Sequence, residues 1–209
     1  MKFYMTPGSC STGIHVLLEE LDKVFEVYIV NLPAGDQYQP DYVAINPKST
    51  IPTLVRNDGR PLTEFQAIAY WLARSNPKAK LLPEDLYGET LVLETMDYVV
   101  GTIHMQGFAR IFNTGEFTPN ENDYDTVRRK GREIVDKGFA IINSNLDGKE
   151  YIAGTFSIAD AALFYVEFWA DKINVELPQN CQAHYKRMLK RPAVYRVLRE
   201  EGYQVSTSP

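Results

Sequence analysis

The sequence predicts an α/β domain followed by an all-α domain. In the first third of the chain, short β-rich runs alternate with a helical apolar pattern, whereas from Glu89 onward the apolar spacing is helical throughout. Between them, the stretch NPKAKLLPEDLY carries two prolines and no clear periodicity, which is typical of a linker. We therefore place an α/β domain at residues 1–77, a linker at 78–87 and an all-helical domain at 88–209.

The first domain is predicted to run β-α-β and then β-β-α. The runs KFYM and FEVYIVN flank a segment in which apolar residues repeat at helical spacing from Ile14 to Leu21. After a loop rich in Pro, Gly and Asp, the stretch IPTLVRNDGRPLTE has the form of two strands joined by NDG, a strong hairpin signal. A helix from about Glu64 to Ser75 follows.

Two features organise the helical domain. Ser157 and Asp160 have the spacing of a capping box with Asp in place of Glu, which predicts a helix start and a folding role. The apolar run from Ala161 to Trp169 that follows is dense enough to be a core helix.

Composition excludes several classes of protein. A net charge of −5 argues against a nucleic-acid partner, and no run approaches the ~18 apolar residues of a membrane span. The opening MKFYMTPGSC lacks the features of a signal peptide, so we expect a cytoplasmic protein. Cys10 and Cys181 lie far apart and form no CxxC pair, and the histidines have no metal-ligand partner at usable spacing. We therefore expect reduced thiols and no metal.

Cys10, in the stretch PGSCSTG, lies between a predicted strand and a predicted helix. A thiol at the first turn of a helix meets unsatisfied N–H groups and the positive end of the helix dipole, which favours the thiolate. The alternative is a cysteine that packs as a small hydrophobic residue.

Pro52 and Glu64 are expected to lie near Cys10, because ligands of open α/β sheets gather beyond the carboxyl ends of the strands. Pro52 begins a predicted strand, where it requires either a cis bond or an edge position; a trans proline that merely starts the strand is the commoner alternative. A cis bond would leave the backbone of Ile51 free to pair with an extended peptide.

Glu64 stands at a predicted helix N-terminus, where most acidic residues are simple caps. Together with the amides of Phe65 and Gln66, it also suits a small zwitterion. The carboxylate of such a ligand would bind the amides, and its ammonium group would bind Glu64.

Four stretches of the sequence match the motifs of one known family in order and in spacing: MKFYMTPGSCS, DYVAINPKSTIPTL, DGRPLTEFQAIAYWLA and YIAGTFSIADAALF. Together they resemble the glutathione transferase family, most closely its bacterial beta class, and the resemblance covers nearly the whole chain. It implies a thioredoxin-like N-terminal domain, a helical C-terminal domain and a homodimer with glutathione bound between the domains.

The resemblance also implies roles for individual residues. Cys10 would lie beside the glutathione sulfur, where it can form a mixed disulfide, and cis-Pro52 would follow the backbone that pairs with the cysteinyl part. Glu64 would hold the γ-glutamyl end, and His104, in GTIHMQGF, would reach toward the thiol. The implied catalytic residues are Cys10, Ser11 and His104, and the implied glutathione-binding residues are Ile51, Pro52, Glu64, Phe65 and Gln66.

Some positions depart from the family pattern. Phe65 stands where serine or glycine normally follows the acid, so its ring must turn away from the site. Met5 stands where many members have tyrosine, and by strand alternation Tyr4 faces the other side of the sheet. The loop NLPAGDQYQPDY lacks the lysines that beta-class members often carry. Of the other histidines, His15 is expected inside the first helix and His184 on a terminal helix among basic residues.

The function implied is conjugation of glutathione to small hydrophobic electrophiles, a detoxification activity. Two alternatives stay open. One is a glutathione-dependent thiol-disulfide reductase or peroxidase that uses Cys10, and the other is a non-catalytic scaffold of the same fold. The sequence does not predict which electrophile is used.

Overall fold

A computed structural model describes residues 1–204 of the chain. The described chain forms two compact units, one of residues 1–82 and 187–204 and the other of residues 83–186. The first unit contains a mixed β-sheet with helices and the second is helical, which confirms the predicted fold class. The domain limits at 77 and 88 stay a prediction.

The sheet of the first unit contains strands β1 (Lys2–Met5), β2 (Glu26–Ile29), β3 (Thr53–Val55) and β4 (Pro61–Thr63), in the order β2-β1-β3-β4. Strand β1 runs parallel to β2, as the predicted βαβ unit requires, and antiparallel to β3, which forms the predicted hairpin with β4. Along β1 the side chains of Phe3 and Met5 are buried, while Tyr4 stacks on Tyr28 at 4.8 Å on the opposite face, as the alternation predicted.

Helix α1 (Ser11–Glu20) is the core helix of this unit, because every residue of its first two turns is buried. Helix α9 (Pro192–Glu200) packs against α1. The guanidinium of Arg191, just before α9, donates to both carboxylate oxygens of Glu20 at 2.7 and 2.9 Å. This bidentate pair fixes the start of α9 beside the end of α1. The helices of the unit are α1 (Ser11–Glu20), α2 (Pro40–Val43), α3 (Phe65–Ser75) and α9 (Pro192–Glu200).

The second unit is built around helix α7 (Ile158–Lys172), whose residues are all buried from Ile158 to Ala170. The Ser157 amide donates to Asp160 Oδ2 over 2.8 Å, so the predicted capping box is confirmed. Helix α4 (Leu86–Asp97) continues through a π-helical segment (Tyr98–Phe108) into α5 (Ala109–Phe112). The helices that follow are α6 (Tyr124–Asn145), α7 and α8 (Gln179–Leu189). The boundary between the two units falls within α8, at Arg187.

Both cysteines, Cys10 and Cys181, are buried free thiols, as predicted. Over residues 1–204, no helix is both long enough and apolar enough to cross a membrane.

Candidate functional site

Cys10 occupies the N-cap position of α1, directly after the loop that follows β1. Its Sγ lies 3.6 Å from the carbonyl oxygen of Ile51, toward which the thiol donates. Burial raises the pKa of Cys10 to about 12, although the backbone amides of Cys10 and Ser11 act in the opposite direction. The expectation of a favoured thiolate is therefore wrong for the chain without ligand, because desolvation of the anion outweighs the donors at the helix terminus.

Ser11 is a fully buried residue in the first turn of α1. Its amide donates to Ser9 Oγ over 3.1 Å, and the two hydroxyl oxygens lie 2.7 Å apart. The Thr6 amide donates weakly to Ser11 Oγ at 3.4 Å. These bonds fix the loop that carries Cys10 and use part of the donor capacity of the helix N-terminus.

The Ile51–Pro52 peptide bond is cis, as the resemblance implied. Within residues 1–204, no hydrogen bond engages the Ile51 amide. The preceding carbonyl, that of Thr50, is held by Tyr42 Oη at 2.5 Å and by Asn46 Nδ2 at 2.8 Å. The sequence analysis did not identify these two supporting residues, because no sequence pattern near Thr50 indicates that side chains of Tyr42 and Asn46 bind its carbonyl.

Glu64 joins β4 to α3 with backbone angles φ 71° and ψ 127°. Positive φ is uncommon for a residue with a Cβ and often marks a functional position. Lys48 Nζ contacts Glu64 Oε1 at 2.7 Å and donates to Thr63 Oγ1 at 2.9 Å. Lys48 is a further residue that sequence reasoning missed.

Two more predicted residues, Phe65 and Gln66, open α3. The Phe65 side chain is buried, so its ring turns away from the surface as expected. The negative charge of Glu64 is the smallest of the contributions to the pKa of Cys10, which burial raises. The first unit contains the predicted residues of two regions. Cys10, with Ser11 beside it in α1, lies against the Ile51–Pro52 loop, and Glu64, Phe65 and Gln66 lie where β4 meets α3.

His104 belongs to the second unit and lies in the π-helical segment. Such segments are rare in helices and frequently occur at functional sites. The imidazole is half-buried, with Nδ1 3.2 Å from Tyr165 Oη and the ring edge-on to Trp169 at 4.8 Å between centroids. Burial lowers the pKa of His104 to about 4, so the ring is neutral at physiological pH.

The other two histidines are buried. His15 lies inside α1 as expected, and its Nδ1 is 2.9 Å from Glu201 Oε1. His184 does lie on α8, but the sequence interpretation of it as a residue among basic neighbours misses its environment, since its ring is fully buried between Asp160 and Glu167.

A cysteine at the start of the first helix, next to a cis-proline loop of a mixed sheet, defines the first unit as thioredoxin-like. Family models bear this out: the glutathione S-transferase N-terminal domain matches residues 8–75, and the glutathione S-transferase C-terminal domain matches residues 125–199. The chain belongs to the glutathione transferase family.

Relatives support this assignment over almost the full length. The glutathione S-transferase GstA of Escherichia coli O157:H7 is 36% identical, covering 97% of this chain and 99% of the relative. A beta-class glutathione S-transferase from Sphingomonas chungbukensis superimposes with a TM-score of 0.82 at 27% identity, covering 97% and 99% of the two chains. A glutathione transferase homologue from Sulfitobacter, solved with bound glutathione, gives a TM-score of 0.87 at 26% identity, covering 95% and 97%.

Proposed function

We propose that this chain binds glutathione in its first unit and transfers the thiolate to small hydrophobic electrophiles. The observation that carries the proposal is the position of the Cys10 thiol against the Ile51 carbonyl, beside an Ile51 amide that has no partner within residues 1–204. A free amide and an adjacent carbonyl are what an extended peptide needs for backbone pairing.

The two ends of the tripeptide determine its orientation. Backbone pairing at Ile51 positions the cysteinyl part, and its sulfur then lies beside Cys10. The Glu64 carboxylate accepts from the γ-glutamyl ammonium, while the amides of Phe65 and Gln66, at the N-terminus of α3, bind the neighbouring carboxylate.

Activation of the tripeptide thiol requires donors rather than a base alone. A free thiol has a pKa near 8.5, and lowering it by about two units, a difference of ~2.7 kcal/mol, makes the thiolate the major form at neutral pH. Cys10 is itself protonated, because its pKa is raised to about 12. A protonated thiol donates a hydrogen bond to the adjacent thiolate, and we assign the same role to the neutral His104 ring and to the helix terminus at Ser11.

The protonated state of Cys10 also favours transfer over disulfide chemistry, since a thiol must ionise to attack a disulfide. The proposal further includes a homodimer, a cytoplasmic location, a detoxification role and a reaction that uses no metal.

Conjugation of glutathione to a chloronitroaromatic, followed by absorbance, tests the proposal. We expect turnover by the natural chain, a raised KM in Glu64→Gln and a lowered kcat in His104→Gln. Asp125→Asn, which changes a fully exposed carboxylate in the second unit, is the control and should change neither constant.

Calorimetric titration with glutathione separates the alternatives. Absence of binding at millimolar glutathione would support the scaffold. If conjugation is absent across several electrophiles while disulfide reduction is present and depends on Cys10, the reductase is favoured. Binding together with conjugation that is lowered but still present in Cys10→Ala supports the transferase.

A further inference from the structure

We propose that His15 and Glu19 of α1, together with Glu200 of α9, form a zinc-binding site. One ligand atom from each of these side chains lies within 4.8 Å of the other two. All three belong to the first unit, and the site does not involve the proposed glutathione-binding residues. The sequence predicted no metal, because the third ligand comes from the opposite end of the chain.

His15 supplies the main observation. Its side chain is only 3% exposed, and Nε2 is a buried atom that makes no hydrogen bond within residues 1–204. The nearest acidic oxygen is Glu200 Oε2, 3.4 Å away. A buried polar atom without a hydrogen bond is costly, so its retention calls for an explanation. A bound metal ion would satisfy the nitrogen.

Glu201 orients the imidazole for this purpose. Its Oε1 lies 2.9 Å from His15 Nδ1, while Oε2 accepts from the Gly8 amide and from Thr12 Oγ1, both at 2.7 Å. A carboxylate with these donors is an acceptor, so Nδ1 carries a proton, and in the neutral ring the lone pair is then on Nε2. A histidine that donates to a carboxylate through one nitrogen and binds the metal through the other is the usual arrangement in metal sites.

The two carboxylates complete the site. Glu19 follows His15 by one helical turn, so both side chains project from the same face of α1. Zinc bound tetrahedrally at 2.0–2.2 Å needs ligand atoms about 3.3 to 3.6 Å apart, which the His15–Glu200 distance already meets. Glu200 is half exposed and free to rotate inward, and water can take the fourth position.

Charge and ligand type favour zinc over calcium or magnesium. Two carboxylates balance the charge of a divalent ion, and a neutral imidazole is a ligand for zinc rather than for the hard alkaline-earth ions. In the structure, Arg196 forms an ion pair with the Glu19 carboxylate, with Nη1 2.5 Å from Oε2. This guanidinium competes with the metal, so its removal should strengthen binding.

Zinc titration by calorimetry, on protein without a histidine tag and after chelator treatment, tests the proposal. We expect one equivalent of Zn²⁺ per chain and a melting temperature that rises with zinc. Glu200→Gln and Glu19→Gln should each weaken binding at least tenfold, and Arg196→Gln should tighten it. The matched control is Glu94→Gln, which changes an exposed carboxylate on α4 and should leave the affinity unchanged.

Cobalt substitution distinguishes this site from the thiols. Co²⁺ held by one imidazole and two carboxylates lacks the thiolate charge-transfer band that ligation by Cys10 or Cys181 would produce. Equal zinc affinity in Glu200→Gln, Glu19→Gln and Glu94→Gln would overturn the proposal, as would a thiolate band or the absence of binding. Glu200 is half exposed, so its variant folds and remains informative even where a His15 variant does not.

Discussion

The Gly8 amide donates a hydrogen bond to Glu201 Oε2 over 2.7 Å, joining the loop before Cys10 to the residue that follows α9. Gly8 has φ +71°, and a Cβ placed there would lie 1.9 Å from Tyr203 Oη. The position therefore requires glycine for two independent reasons, backbone conformation and the close approach of a side chain. The loop that presents the thiol is held in place by the C-terminal part of the first unit.

Alanine substitutions at Gly8 and Gly59 separate these two reasons. Gly59 has φ +81° at the tip of the β3–β4 hairpin, and a Cβ added there would have no heavy atom within 4 Å. Gly59→Ala should cost about 1–2 kcal/mol of unfolding free energy, because only the left-handed conformation is penalised. Gly8→Ala should cost a further ~1–3 kcal/mol, because Tyr203 must also move. Urea denaturation measures both, and equal losses would show that Tyr203 gives way freely.

Local patterns account for the parts of the fold that were predictable. The NDG turn specifies its hairpin through the backbone conformation that glycine permits, and Ser157 with Asp160 specifies the start of α7 through hydrogen bonds three residues apart. Each of these two signals lies within a few consecutive residues. The sequence is therefore sufficient to identify them.

Environment accounts for what was not predictable. The pKa of Cys10 depends on burial under the Ile51 loop, and the partners of His184 lie on another helix. The Glu200 carboxylate, which faces the His15 ring, is likewise far from His15 along the sequence. Such pairings depend on tertiary contacts, and no spacing rule along the sequence reports them.

Alkylation of Cys10 should be slow in the chain without ligand. With a pKa raised to about 12, the thiolate population near pH 8 is roughly three orders of magnitude below that of a free cysteine. Iodoacetamide labelling followed by peptide mass spectrometry should show a rate that climbs steadily with pH without levelling near pH 9. A plateau near that pH would mean that the thiol ionises normally. Cys10→Ser identifies any labelling that arises at Cys181.

His104 should remain neutral across the physiological range. The chain has three histidines, so their imidazole resonances can be assigned by single substitutions. Because burial lowers the pKa of His104 to about 4, its carbon-13 and nitrogen-15 shifts should stay constant from about pH 6 to 9 and change only in acid. A midpoint near 6.5 would show that the ring is solvated and that burial does not lower its pKa.

The buried group around His184 gives the folded state a pH dependence of its own. Nδ1 lies 2.8 Å from Glu167 Oε2 and Nε2 lies 3.2 Å from Asp160 Oδ1, with all three side chains fully buried. Burial opposes protonation of the ring, but the two carboxylates overcome it and raise the pKa of His184 to about 10. Desolvation raises the pKa of Glu167 to about 7.

The protonated ring contributes stability that is complete below the unfolded pKa of ~6.5 and is lost as the pH rises toward about 10. Between about pH 7 and 8.5, before the cysteine thiols of the unfolded chain ionise, the His184 ring alone should lower the unfolding free energy by up to ~1.4 kcal/mol per pH unit. The contribution of Glu167 is complete below its unfolded pKa and is lost as the pH rises through about 7, so it has the same sign.

A double variant, His184→Gln with Glu167→Gln, removes both titrating groups and should show a much flatter profile over that interval. His184→Gln alone is a poorer test, because the isolated Glu167 carboxylate would titrate at still higher pH once its cation is gone. Urea denaturation at several pH values gives the slopes, with Asp125→Asn as a control that should follow the natural chain. If the double variant keeps the full slope, His184 is neutral in the folded protein and the buried ion pair does not exist.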